Sequence, residues 1–206
     1  MNSPAAPVKR VLVAVTGGIA AYKTCTVVSR LSQAGHDVRV IMTDAATRFV
    51  GPATLQALSG HPVMTSAWAP HPDANFPDPD PLPDLLSSPH VALARWCDLM
   101  LIAPASADCL ARLAAGLTDD LVALTVSALP SDTPLLVAPA MNADMWANPI
   151  VQRNLATLRD LLPNFTQLGP DDGWQACRTS GQGRMTEQEA IFETIAKRFQ
   201  DASVQR

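Results

Sequence analysis

Charge is scarce in this 206-residue chain: Asp, Glu, Lys and Arg make up 17%, against about 25% in an average soluble protein. Such a surface is covered by other subunits or by an apolar ligand, or is simply rich in Ala and Leu. No cluster of Lys or Arg occurs and the net charge is −4, so the basic footprint of a nucleic-acid binder is missing. No apolar run approaches the roughly 20 residues of a membrane helix; the longest lie at residues 99–105 and 135–141. Residues 1–7 are small and polar, without the apolar core of a signal peptide. The expected compartment is therefore the cytoplasm. The four cysteines, Cys25, Cys97, Cys109 and Cys177, form no C-x-x-C pair, which excludes a zinc ribbon or a thioredoxin motif. A reducing compartment leaves all four as thiols. No His/Cys/Asp spacing suggests a metal site. Hydrophobic residues, at 48%, exclude a mostly disordered chain.

What is present is an alternation of strand and helix. Residues 10–16 form a continuous apolar, β-branched run of the kind that fills a buried parallel strand. Gly17-Gly18 turns the chain, a helical pattern follows over 19–34, and Gly35 stops it. Residues 37–42 form the next strand, completing one βαβ unit. Strands are predicted again at 98–103 and 134–138, closed by Pro104 and Pro139, and at 165–168. Helices are predicted at 106–115, 119–129, 149–162 (with Pro149 at its first position) and 187–200. The whole reads as one α/β domain over residues 1–206, an open parallel sheet with helices on both faces, its core at 8–168. Two segments break the pattern. Residues 70–89 hold seven of the eighteen prolines, four Asp and no Lys or Arg, which predicts a surface loop. Residues 169–185 are polar and Gly-rich, a loop long enough to be functional or mobile.

In open α/β sheets, ligands bind outside the carboxyl ends of the strands. The residues there are Thr16-Gly17-Gly18, Thr43-Asp44-Ala45, Pro104 to Asp108, and Pro139-Ala140-Met141-Asn142. Gly17 and Gly18 let a phosphate approach the N–H groups opening the next helix, although the full G-x-G-x-x-G is absent. Hydroxyls of Thr16, Thr43 and Ser106 at the same sheet edge can donate to phosphate oxygens. Asn142, at a strand-to-helix junction, has the position of an N-cap. His90 opens a short helix, where a neutral His either caps in solvent or positions or deprotonates a substrate group. His36, His61 and His71 stand beside Gly or Pro and read as solvated. Cys25 and Cys97 read as core and Cys109 stays ambiguous. Cys177, in a polar loop with Arg178 and Arg184, reads as an accessible, reactive thiol.

The ordered set Thr16-Gly-Gly-Ile-Ala-Ala21, His90 ahead of Ala94-Arg-Trp96, Ile102-Ala-Pro-Ala-Ser-Ala107, Gly116-Leu-Thr-Asp-Asp-Leu121, Ala138-Pro-Ala-Met-Asn142, Met145-Trp-Ala-Asn-Pro149, and Ala176-Cys177 with Gly181-Gln-Gly-Arg-Met185 resembles the homo-oligomeric flavin-containing cysteine decarboxylases. Within them it is most similar to the branch acting on phosphopantothenoylcysteine. The resemblance spans about residues 8 to 200.

It implies a Rossmann-like or flavodoxin-like sheet and FMN as cofactor. The phosphate is expected near Gly17, Gly18, Ile19 and Thr43, and the ring near Ser106, Ala107, Asp108, Cys109 and Ala140. It implies trimers with the flavin at a subunit boundary, in some members assembled into dodecamers, and a stand-alone decarboxylase without a fused synthetase domain. The implied reaction oxidises the cysteine end of the substrate to a thioaldehyde, loses CO2 to a delocalised enethiolate, and reduces that to 4'-phosphopantetheine, flavin carrying the electrons. His90 corresponds to the residue acting as base or orienting the carboxylate, Asn142 to the residue binding that carboxylate, and Cys177 to the acid. Met145 and Arg184 correspond to substrate contacts, and residues 169–185 to a flap that excludes water. Three positions depart from the usual pattern: Gly18 stands where Ser is frequent, Asp108-Cys109 where Asn-Thr is usual, and Arg178 where Gly follows the cysteine. Three neighbouring branches compete, of which the prenyl-transferring flavin enzymes lack the Ala-Pro-Ala-Met-Asn pattern. Enzymes acting on a peptide's C-terminal cysteine share the His and Pro-x-Met-Asn but generally lack the flap cysteine. Non-catalytic regulatory subunits carry long acidic tails.

Overall fold

A computed structural model describes residues 8–68, 78–82 and 88–204, the side chains of 202–204 excepted. Five strands, β1 (Arg10–Val15), β2 (Asp37–Met42), β3 (Leu99–Ala105), β4 (Leu135–Pro139) and β5 (Phe165–Gln167), form a parallel sheet in the order β2-β1-β3-β4-β5. This is the flavodoxin-like order, whose switch point lies between β1 and β3. Side chains alternate between two fully covered faces, as a period of two requires. Val11, Val13 and Val15 pack with α1 (Ala21–Gln33), α3 (Pro52–Ser59) and α9 (Gln188–Val204). Leu12 and Ala14 face α4 (Pro89–Trp96), α5 (Ala107–Ala115), α6 (Leu121–Ser127) and α8 (Pro149–Leu161). The short helices α2 (Asp44–Thr47) and α7 (Ala143–Ala147) follow β2 and β4 at their carboxyl ends. Gly35, at φ +83°, ends the α1 segment as its position in the sequence implies.

Pro104 does not close β3. The strand runs on to Ala105 through a register shift between Ile102 and Ala105 against β4. A bulge takes carbonyls out of the ladder, and buried carbonyls need partners. Two buried hydroxyls supply them: Thr24 Oγ1 donates to Ala103 O at 2.7 Å, and Thr16 Oγ1 donates to Pro104 O at 2.6 Å. Thr16 Oγ1 also accepts from Ser106 N at 2.9 Å. Thr16 is therefore a brace between β1 and the start of α5, not a phosphate donor.

Residues 169–185 are not an irregular loop. β6 (Asp171–Trp174) and β7 (Ser180–Arg184) form an antiparallel hairpin. Gly183 must be glycine, because a Cβ there would stand 2.4 Å from Met141 O, the close approach that lets Met141 N donate to Gly183 O.

Two histidines read as solvated are not. His36 is half-buried, edge-on to Phe199 at 5.5 Å, and burial beside Lys9 pushes its pKa down. His61 lies between Asp37 and Asp78, 3.0 Å from each. Asp78, from the Pro-rich segment, also pairs with Arg39 at 2.6 Å, and both side chains are 4% exposed. Burial alone would raise the Asp78 carboxyl, but His61 and Arg39 outweigh it and hold it below the usual carboxylate range. This part of the segment is thus tied to the sheet edge by Arg39. His71, residues 1–7 and the remainder of the Pro-rich stretch at 69–77 and 83–87 lie outside the described residues.

Candidate active site

At the carboxyl ends of β1, β3 and β4 the hairpin roofs a cavity of about 690 Å³, within the usual range for a small-molecule site. Its floor opens on α1, whose N-cap position, Ala20, carries no capping side chain. In that first turn Ala21 N donates to Gly18 O and Lys23 N donates to Ala20 O, both at 3.0 Å, which leaves the Tyr22 N–H for an anion. A Cβ on Gly18 would meet nothing nearer than Pro104, at 3.9 Å, so Gly18 faces open space. Gly17 is tighter: a Cβ there would lie 2.6 Å from Ala45 Cβ.

The structure gathers ten of the residues singled out from sequence around this cavity: Gly17, Gly18, Ile19, Ser106, Ala107, Ala140, Asn142, Met145, Cys177 and Arg184. Four others do not line it. Thr43 caps α2, accepting from Ala46 N at 3.2 Å. Asp108 is exposed and paired with Arg112 at 2.8 Å, one helical turn on. Cys109 points into the core, where burial raises its pKa. His90 stands on α4, its Nδ1 buried and without a hydrogen-bond partner among the described residues.

Asn142 combines two readings that sequence set against each other. Its Oδ1 caps α7, accepting from Met145 N at 2.8 Å. That fixes the rotamer and leaves the amide Nδ2, for which no partner exists among the described residues, to donate into the cavity. Ser106 likewise caps α5 through Cys109 N at 3.2 Å while lining the cavity.

The thiols divide sharply. Burial raises the pKa of half-buried Cys25 and pushes that of Cys97 up to about 12. Cys177 alone of the four is exposed, at the tip of the hairpin.

Sequence reasoning missed Lys23, Trp174 and Gln175. Lys23 stands in the first turn of α1, the turn that the Gly17-Gly18 motif opens, and that position was a usable signal. Its ammonium lies 3.5 Å from Glu187, which also pairs with Arg184, so one carboxylate bridges two cations at the cavity wall. Gln175, 7% exposed, had no signal in its residue type. Its Oε1 accepts from Ala143 N at 3.0 Å, and its Nε2 donates to Gly181 O and Gln182 O at 3.1 and 3.3 Å. One side chain thereby fastens the roof to α7. Gln175→Leu is expected to strand these buried groups, at about 1–3 kcal/mol. Trypsin should then cut after Arg178 about tenfold faster, read by limited proteolysis.

The described residues contain no group of three or more His, Cys, Asp or Glu able to hold a metal, and no helix long and apolar enough to cross a membrane.

Known proteins share this architecture. The chain is 42% identical over 191 residues to the coenzyme A biosynthesis bifunctional protein CoaBC of Haemophilus influenzae, an alignment covering 93% of this chain and 44% of that protein. It thus spans less than half the length of this relative. Among solved structures, a cysteine-to-serine variant of PPC decarboxylase complexed with pantothenoylaminoethenethiol superposes with a TM-score of 0.78 at 29% identity, covering 94% of this chain and 100% of that one. The FMN binding protein AtHal3 gives 0.76 at 30% identity, covering 95% and 98%. The Flavoprotein family model matches residues 2–200. With the sheet order, the uncapped helix and the cavity at the switch point all of one kind, this chain belongs to the Flavoprotein family.

Proposed function

We propose that the chain is an FMN-dependent decarboxylase that converts 4'-phosphopantothenoylcysteine to 4'-phosphopantetheine in coenzyme A biosynthesis. The observation that carries this reading is one cavity joining an uncapped helix N-terminus, a carboxamide with its Nδ2 free to donate and an exposed thiol. FMN fits the residues present: the Tyr22 N–H opening α1 and the Ser106 hydroxyl for its phosphate and polar edge, and Ile19, Ala107, Ala140, Met141 and Met185 against a flat ring. When bound, it supplies the two-electron oxidation and the later reduction at the substrate's cysteine end.

The chain's own groups do the rest. Asn142 Nδ2 donates to the substrate carboxylate and holds it beside the carbon that loses CO2. His90 supplies the base. Cys177 delivers the proton that the enethiolate carbon takes up as it is reduced. The roof hairpin excludes water from these steps. The cysteine-to-serine variant of PPC decarboxylase holds an enethiol, the product expected when that proton is not delivered.

One chain does not bring His90 to its own cavity. The reading therefore includes a homotrimer with the flavin at the subunit boundary, each His90 serving a neighbouring copy. Four apolar side chains at the mouth support it: Ile19 is 58% exposed, Tyr22 59%, Met145 45% and Trp174 65%, more than an isolated monomer usually leaves in one patch. The four free thiols suit the reducing cytoplasm. The test is direct: protein incubated with FMN is expected to retain flavin absorption bands after gel filtration and to release CO2 from 4'-phosphopantothenoylcysteine. Colourless protein, or bound flavin without CO2, overturns the proposal.

A further inference from the structure

The hairpin tip places a hydroxyl against the thiol. Gln175 N donates to Thr179 O at 2.8 Å and Arg178 N donates to Gln175 O at 2.9 Å, closing a three-residue loop of Ala176, Cys177 and Arg178. Arg178 takes the left-handed conformation at φ +65° that the third position of such a loop requires. The turn brings Thr179 Oγ1 to 2.9 Å from Cys177 Sγ. The other polar neighbour of the sulfur is Gln175 Oε1, at 3.7 Å.

The orientation of that carboxamide decides the chemistry. Gln175 Nε2 is committed to the carbonyls of Gly181 and Gln182, and Oε1 accepts from Ala143 N. An acceptor therefore faces the sulfur. It can take a hydrogen bond from the thiol but can offer none to a thiolate. When Cys177 gives its proton to carbon, the sulfur becomes an anion, and anions of this kind are stabilised by donors. Among the described side chains bonded to the sulfur, Thr179 carries the one available O–H.

We propose that Thr179 is a positioning residue for Cys177, holding the thiol toward the cavity and turning its hydroxyl to donate to the sulfur once the proton has left. The step balances within the pair and the substrate: the S–H bond breaks, a C–H bond forms on the enethiolate carbon, and the thiolate later regains a proton from water. Gln175 sets the hydroxyl's direction, because its Oε1, 3.5 Å from Thr179 Oγ1, is the alternative acceptor while the thiol is protonated. This inference rests on the acid role proposed above for Cys177.

The experiment uses the full chain loaded with FMN, with 4'-phosphopantothenoylcysteine as substrate, and compares the parent with Thr179→Val and Thr179→Ser. Mass spectrometry gives the ratio of enethiol to saturated product. In parallel, iodoacetamide alkylation of Cys177 at pH 7, followed by peptide mapping, reads the sulfur without any turnover. Thr179→Val is expected to raise the enethiol ratio about tenfold and to slow alkylation about tenfold, the weight of one hydrogen bond to a charged group. Thr179→Ser is expected to restore both. Parental ratios and parental alkylation in Thr179→Val overturn the inference, as does failure of Thr179→Ser to rescue. A parent that binds FMN but releases no CO2 would instead sink the decarboxylase reading, and the alkylation rates would still decide whether Thr179 governs the sulfur.

Discussion

Cys177→Ser is expected to stop the reaction halfway. CO2 release needs bound FMN, the base and the Asn142 carboxamide and assigns no role to the sulfur, so it should survive. Reduction of the enethiolate needs a proton donor, and a Ser hydroxyl is a far weaker acid than a thiol, whose reference pKa is about 8.5. Loss of a placed general acid slows its step by about 10²–10⁴-fold. The enethiol should therefore accumulate, about two mass units lighter than 4'-phosphopantetheine, because a hydride and a proton are withheld. Mass spectrometry of the product separates the two. Saturated product formed at the parental rate would remove Cys177 from the mechanism and favour a site that naturally stops at the enethiol.

His90→Asn carries an equally large effect with a different signature. FMN should still bind, since His90 is not among the residues that line the cavity, while CO2 release falls by about 10²–10⁴-fold. The subunit assignment is tested by mixing. Asn142→Asp keeps the α7 cap but sets a negative charge against the substrate carboxylate, so it too should be inactive. Coexpressed with His90→Asn, it should form mixed oligomers in which about a quarter of the sites combine an intact Asn142 with a neighbour's intact His90. Recovery of about a quarter of the parental rate supports the shared site. No recovery in oligomers shown to be mixed assigns His90 to its own chain or to none.

Much of the fold was legible because buried parallel strands leave unbroken apolar runs. The run at 37–42 coincides with β2 and that at 10–16 with β1 to within one residue. Prolines were read too strictly: Pro104 and Pro139 lie within the last residues of β3 and β4, where the bulge in β3 and the carboxyl end of β4 tolerate a missing N–H. The hairpin was illegible for another reason. Its strands, Asp171–Trp174 and Ser180–Arg184, show no apolar alternation, since glycines packing against α7, not a hydrophobic face, set their place. His61 was misread because only tertiary structure brings Asp37 and Asp78 to the two sides of its ring.

At the site, residue type served well where chemistry was carried by one unusual group, as with Cys177 and Asn142. It served poorly for Lys23 and Gln175, whose roles come from what folding places beside them. It also treated cap and ligand contact as rivals at Asn142, although a side chain with an acceptor at one corner and a donor at the other can do both at once.

The brace at the end of β3 sets the traffic through the cavity. Thr16 ties the ends of β1 and β3 to Ser106, the N-cap of α5, with two hydrogen bonds at one hydroxyl, and Thr24 pins the same bulge from α1. A floor stitched in this way does not breathe apart between its strands. The roof hangs from α7 by the one bond that Gln175 accepts from Ala143 N, and from the segment before α7 by the backbone bond from Met141, while the other two bonds of Gln175 hold the hairpin to itself. Exchange of anything held between them follows the tempo of the hairpin, and residence time becomes a property of the lid's hinge, set apart from the strength of the grip below it.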